Sequence, residues 1–232
     1  MERLYLEDAY LRAFDAGVAE VDGQRVILER SAFYPGGGGQ PHDEGHLEWD
    51  SGLCQVVGFE GEALLVEGTP PPVGATVHGV LDWDRRYRIM RAHTALHVID
   101  GVAYKEYGVD ITGNQLYPAR GRLDLSFDNM TRGLAEEIIE ASNEAARRDY
   151  PVRTYYIPKE EFASRPDLMR VASHLYDKFE TFRIVEIEGF DMQADGGTHV
   201  VRTGEIGTIV LSEYKSKGRR NKRIYIDLLD PD

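Results

Sequence analysis

His93 and His97 stand four residues apart in AHTALHV, and Asp195 and His199 stand four apart in ADGGTHV. On a helix, side chains at i and i+4 share one face a turn apart, so the first two imidazoles can grip a single ion. Two helix histidines satisfied separately would leave the same pattern. The zinc-protease form of this motif needs a glutamate directly after the first histidine as general base. Thr94 stands there, which excludes that reading. In the second stretch a Gly-Gly pair separates a carboxylate from an imidazole, and glycine permits positive φ and close backbone approach. Both donor types bind zinc at about 2.0–2.2 Å. Together the two pairs would form a tetrahedral or open site, with two donors from a helix and one or two from a loop. Taken alone, ADGGTHV is also an ordinary turn that happens to hold a histidine.

A third stretch, FYPGGGGQPHDEG, carries four successive glycines, Gly36 to Gly39, that lead to the amide of Gln40. It is not a phosphate loop, because no Lys-Ser or Lys-Thr follows and Pro41 blocks an immediate helix. A flexible linker would seldom be flanked by aromatics such as Phe33 and Tyr34. The run predicts backbone packed tightly against another surface.

Residues 1 to 82 must supply the scaffold for that loop. Short apolar runs at 17–29, 45–49, 54–59 and 62–68, separated by glycine or aspartate turns, predict a β-rich domain, a small barrel or a sandwich. At Trp83 the texture changes. Ile89, Ala92, Leu96, Ile99 and Ala103 recur at helical spacing and predict a helix over 85–107, which carries both histidines of the first pair. A second helix is predicted from an N-cap at Thr131 to about Arg148, with Glu136 and Glu137 near its start, Arg147 and Arg148 in its last turn and Pro151 beyond. Strands are predicted at 152–157 and 182–190, with a short helix or loop over 160–169 between them. Two β-branched runs around a basic turn predict a hairpin within 207–229. The reading is thus α+β, with one domain at 1–82 and another at 83–232.

Bulk properties narrow the function classes. No run approaches the ~18 apolar residues of a membrane span. The start lacks the basic and apolar regions of a signal peptide, so a cytoplasmic location is expected. Cys54 is the single cysteine, which excludes an intrachain disulfide and any multi-cysteine zinc site; in its apolar run it is expected to be a buried structural thiol. A net charge of −13 argues against broad, non-specific nucleic-acid binding. The charge is uneven, however. Lys215, Lys217, Arg219, Arg220, Lys222 and Arg223 follow one another without an acid, and Arg85, Arg86, Arg88 and Arg91 cluster just around the first histidine. An acidic body with local basic patches can hold a polyanion in one place. A solvated hairpin tip would show the same run.

RSAFYPGGGGQPHDEG, RIMRAHTALHVI and ADGGTHVVRTGEIG, in that order, resemble the editing domain of alanyl-tRNA synthetase and, more closely, its free-standing relatives, the AlaX alanyl-tRNA editing proteins of medium length. ITGNQL, RLDLSF and NEAARRDYPVRTYY fit as well, so the resemblance covers nearly the whole chain. It implies a small β-barrel-like glycine-rich domain followed by an α+β editing domain of antiparallel sheet and helices. With no aminoacylation domain, the chain is expected not to charge tRNA. The implied reaction is ATP-independent hydrolysis of the ester in tRNA(Ala) mischarged with serine, and secondarily glycine, with no membrane or protein partner required. The resemblance also implies one zinc ion per chain, on His93, His97, Asp195 and His199.

Many members have Cys-Gly-Gly-Thr-His where this chain has Asp-Gly-Gly-Thr-His, so Asp195 takes a cysteine position. Its carboxylate either binds the metal directly, making a harder site, or holds a water or orients a histidine one step back. Ser31 stands where the family usually has the threonine linked to sensing the serine hydroxyl, and Gln40 occupies the glutamine of the editing pocket. The implied catalytic set is therefore His93, His97, His199, Ser31 and Gln40. The hairpin cations, with Arg85 and Arg86, are the candidates for tRNA phosphate contacts. Two rivals stand beside this reading: a zinc hydrolase of small esters, and a tRNA-binding module without metal.

Overall fold

A computed structural model describes residues 1–165, 168, 179–218 and 221–231. The chain divides into two compact units, Met1–Ile89 and Met90–Asp232.

The first unit settles the choice between barrel and sandwich. Strands β2 (Ala13–Asp22), β3 (Arg25–Leu28), β5 (Gly45–Trp49), β6 (Gly52–Glu60), β7 (Ala63–Glu67) and β8 (Thr76–Leu81) close into a barrel in the order β2-β3-β7-β6-β5-β8. Every neighbouring pair is antiparallel. Closure removes the unpaired edges that an open sheet would present. The period-two pattern sends Phe14, Ala16 and Val18 of β2 and Cys54 and Val56 of β6 inward, where they pack with Val26, Leu28, Leu47, Leu64 and Val77. Cys54 is buried in this core, and burial raises its thiol pKa. Two short strands, β1 (Glu2–Arg3) and β4 (Arg30–Ser31), pair in parallel beside the barrel.

The glycine run corrects one expectation. Gly36, Gly37, Gly38 and Gly39 all have positive φ, from +57° to +135°. Gly37 and Gln40 exchange both backbone hydrogen bonds across the turn. Gly37 and Gly38 are exposed, and a Cβ at Gly38 would meet nothing within 4 Å. At Gly38 backbone conformation alone requires glycine, while at Gly36 a Cβ would also press on the His42 backbone nitrogen at 3.3 Å.

In the second unit the long helix is α1 (Trp83–Tyr107), whose first turns belong to the preceding unit. The apolar stripe read from the sequence understates its burial, since every residue from Ile89 to Ala103 is buried. Arg91, His93, Thr94, His97 and Asp100 are therefore polar groups inside the protein, and such groups persist only with partners. Arg91 shows the rule: its guanidinium donates to the carbonyls of Ile206 and Leu229 and to Asp230.

Four strands, β9 (Ile111–Tyr117), β10 (Arg120–Leu125), β14 (Thr208–Ser216) and β15 (Lys222–Leu229), form an antiparallel sheet in the order β14-β15-β10-β9. The hairpin expected within 207–229 is its β14–β15 pair. The pair β9–β10 is not in the sequence reading. Helix α2 (Arg132–Arg147) begins on Thr131, whose hydroxyl accepts the Leu134 N–H, as an N-cap should. Asn143 of α2 accepts the Ile209 N–H and donates to the Ile209 carbonyl, which pins the helix to β14.

A second sheet holds β11 (Val152–Pro158), β12 (Thr181–Ile187) and β13 (Asp191–Ala194), in that order. The segment expected as a short helix or loop opens as helix α3 (Lys159–Ala163); residues 166, 167 and 169 of it lie outside the described set. Among the described residues no helix is long and apolar enough to cross a membrane.

Candidate metal centre

Helix α1 presents His93 and His97 one turn apart, with ring centroids 5.1 Å from each other. Strand β13 ends at Ala194, and its ladder continues one bond further, from the Asp195 N–H to the Arg183 carbonyl of β12. The chain then turns through Gly196 and Gly197 and returns His199 to the two helix rings. His199 lies with its centroid 4.1 Å from that of His93 and 4.6 Å from that of His97. All three histidines are buried, and Asp195 is partly buried.

One nitrogen from each ring and a carboxylate oxygen of Asp195 lie within 4.8 Å of one another. Asp195 Oδ2 is 3.5 Å from His93 Nε2 and 4.0 Å from His97 Nε2, while Oδ1 is 3.2 Å from His199 Nε2. Donors bound at about 2.0–2.1 Å around a tetrahedral ion are roughly 3.4 Å apart, and these atoms are close enough together to hold a metal ion. The chemistry fits too, with three neutral-capable imidazoles and one carboxylate and no thiolate. Burial lowers the His199 pKa to about 3, helped by the His93 ring, which leaves the imidazole neutral. Burial alone would raise the Asp195 carboxyl, but His93 and His199 outweigh it and hold the pKa well below the usual carboxylate value. Both groups are thus in their metal-binding protonation states at neutral pH.

The loop is held from behind. Asp195 Oδ1 accepts the Gly197 N–H at 2.6 Å, closing a turn that keeps the carboxylate folded toward the rings. Arg183 donates one guanidinium nitrogen to both the Asp195 and Gly197 carbonyls, at 2.9 and 3.0 Å. Thr94 Oγ1 lies 3.2 Å from His199 Nδ1 and also contacts Met90 O and Val200 N.

Residues 182–225, from β12 through the loop of Asp195 and His199 to β15, match the family model described as "Threonyl and Alanyl tRNA synthetase second additional domain". The chain is 39% identical to the alanyl-tRNA editing protein AlaX-M of Saccharolobus solfataricus over 97% of both chains, and 41% identical to that of Methanosarcina acetivorans over 99% of both. The chain belongs to the AlaX-M family of alanyl-tRNA editing proteins. It is also 37% identical to the alanine–tRNA ligase of Pyrobaculum neutrophilum, over 90% of its own length but 25% of the ligase.

The other residues singled out in the sequence fall as follows. Ser31, on β4, is fully buried and its Oγ accepts the Phe33 N–H at 3.1 Å. Gln40 is buried at the foot of the glycine turn. Of the hairpin cations, Lys215 and Lys217 are exposed, whereas Lys222 is buried with its ammonium on the Gly218 carbonyl. Arg223 makes a bidentate ion pair with Asp124 at 2.6 and 2.8 Å. Arg219 and Arg220 lie outside the described residues.

Arg85 contacts Glu44 and the His42 carbonyl. Arg86 is completely buried, its guanidinium spent on Asp43 and on the carbonyls of Ala9 and Ala32. Its assignment to tRNA phosphate is therefore corrected: it is a structural cation. Asp43, its partner, also accepts the Tyr34 N–H, so this buried pair anchors the start of the glycine-rich turn.

Thr94 and Arg183 are the residues that sequence reading did not assign to the site. Arg183 had a signal, a lone cation between Phe182 and Ile184 in an apolar strand.

Proposed function

We propose that this protein is a trans-editing esterase that deacylates mischarged tRNA(Ala), serine before glycine, with one zinc ion on His93, His97, Asp195 and His199. The observation that carries the reading is the meeting of three imidazoles and a carboxylate, drawn from helix α1 and the loop after β13, in a chain aligned end to end with proteins named for alanyl-tRNA editing. Direct ligation by Asp195 is supported by Oδ2, which faces the helix histidines while Oδ1 is occupied by the Gly197 N–H.

When bound, zinc supplies a Lewis acid beside the ester. The protein's own groups do the rest. The histidines present their Nε2 atoms inward, and the Arg183 clamp and the Asp195 turn fix the loop donors before substrate arrives, so no reorganisation is needed at the moment of reaction. An aminoacyl ester is already activated, so no ATP enters.

Serine differs from alanine by one hydroxyl, and an apolar pocket rejects such a difference by only about a hundredfold. A buried group that hydrogen-bonds the hydroxyl discriminates better, because alanine would leave it unpaired. The Ser31 Oγ accepts from Phe33, while its own proton finds no acceptor among the described residues, which suits it to that task. The tRNA phosphates are assigned to Lys215 and Lys217, exposed near the hairpin tip of an otherwise acidic chain.

The deciding experiment is deacylation of Ser-, Gly- and Ala-tRNA(Ala) with and without a chelator. Hydrolysis of the first two, lost on chelation and restored by zinc, is the expected result. Full activity in protein verified to be zinc-free would overturn the metal assignment. Equal cleavage of simple serine esters and Ser-tRNA(Ala) would overturn the tRNA assignment.

A further inference from the structure

Thr94 is a fully buried hydroxyl inside helix α1, directly after His93. Three polar atoms surround its Oγ1: the Met90 carbonyl at 3.1 Å, the Val200 N–H at 3.2 Å and His199 Nδ1 at 3.2 Å. A hydroxyl has one proton and two lone pairs. A threonine inside a helix ordinarily donates to the carbonyl four residues back, so the proton is assigned to Met90. The Val200 N–H can only donate, so it takes one lone pair. One lone pair remains, and it faces His199 Nδ1.

We propose that Thr94 is a positioning residue that fixes His199 as the Nδ1–H tautomer, so that the Nε2 lone pair points to the metal. With the hydroxyl proton on Met90, Nδ1 donates to Thr94 and the neutral ring carries no proton on Nε2. That nitrogen faces Asp195, 3.2 Å from Oδ1. Metal-binding histidines commonly have the second nitrogen held in this way by a neighbouring group. Here the holding group comes from the helix that also carries His93 and His97, so one element sets the third imidazole as well. Val200 N–H, bonded to the same oxygen, ties down the backbone just after His199.

This inference rests on the zinc reading above, and the experiment separates the two. The His199 tautomer is read in metal-free wild-type protein by long-range nitrogen–proton NMR, and zinc affinity is measured by chelator competition for wild type, Thr94→Val and Thr94→Ser. Expected are an Nδ1–H tautomer in wild type, a loss of zinc affinity of roughly 10- to 100-fold in T94V, and recovery to within about threefold in T94S. An Nε2–H tautomer in wild type overturns the proposal, and so does wild-type zinc affinity in folded T94V. Should T94V fail to fold, the wild-type tautomer still decides. If wild type binds no zinc, the metal assignment falls, and the NMR result stands by itself for or against the role of Thr94.

Discussion

Arg183 and Asp195 are joined twice through the backbone. The Arg183 carbonyl accepts the Asp195 N–H at 3.1 Å, and the Arg183 guanidinium returns to the Asp195 carbonyl at 2.9 Å. The second contact extends to Gly197, so a single side chain spans the turn that aims Asp195 and His199 at the helix.

Arg183→Met should therefore weaken zinc binding by about tenfold or more without unfolding the second unit, because the ligands survive and only their support is lost. Arg183→Lys should recover little, since an ammonium lacks the planar fork. Chelator competition and circular dichroism on the same samples check this. Unchanged affinity in R183M would remove Arg183 from the site.

Ser31→Ala should lower hydrolysis of Ser-tRNA(Ala) more than that of Gly-tRNA(Ala), because only the serine ester offers a hydroxyl to be sensed. A selective loss of about 1–3 kcal/mol in kcat/KM is expected. Parallel measurement of both substrates decides, and an equal loss on both rejects the sensing role.

Arg86→Ala should destabilise the protein by about 3–5 kcal/mol, since Asp43 would be left charged and buried without its partner. Lys217→Glu should leave stability nearly unchanged but weaken tRNA binding and flatten its dependence on salt. Urea unfolding and binding at several salt concentrations separate the two cations. A large salt effect from a folded Arg86 variant would contradict its structural assignment.

Acid should destabilise the chelated protein earlier than carboxylates alone would cause. The His199 pKa is about 3 in the folded protein and about 6.5 when unfolded, so between these values the unfolded chain binds the extra proton. Stability then falls as pH drops from about 6.5 toward 3. The Asp195 contribution, present above the ordinary carboxylate pKa, is lost only below it. His199→Gln should flatten the upper part of that decline in urea titrations at stepped pH.

His93, His97 and the helix beneath them were legible because a 3.6-residue period and i, i+4 spacing survive in the sequence; Asp195 and His199 lie in a glycine turn that has no period, and only the family resemblance pointed to them. The barrel strands were legible through period-two alternation and glycine turns. Strands β9 and β10 were not, because Gly113, Asn114 and Gln115 break the apolar pattern of the first and Asp124 that of the second. Arg86 misled because a cation in a basic cluster reads as surface, and only its contact with Asp43, 43 residues away, shows otherwise. Thr94 entered the sequence reading only as the wrong residue for a protease. Its role depends on a loop about a hundred residues further on, which no local pattern reports.

That same position shows how far apart two motifs can be when one letter separates them. Thr94→Glu would write His-Glu-x-x-His into the chain, the signature of a peptidase helix. The new carboxylate would meet the Met90 carbonyl, an acceptor, at a site closed to water. A general base needs a water to activate, and this side of the helix has protein in its place.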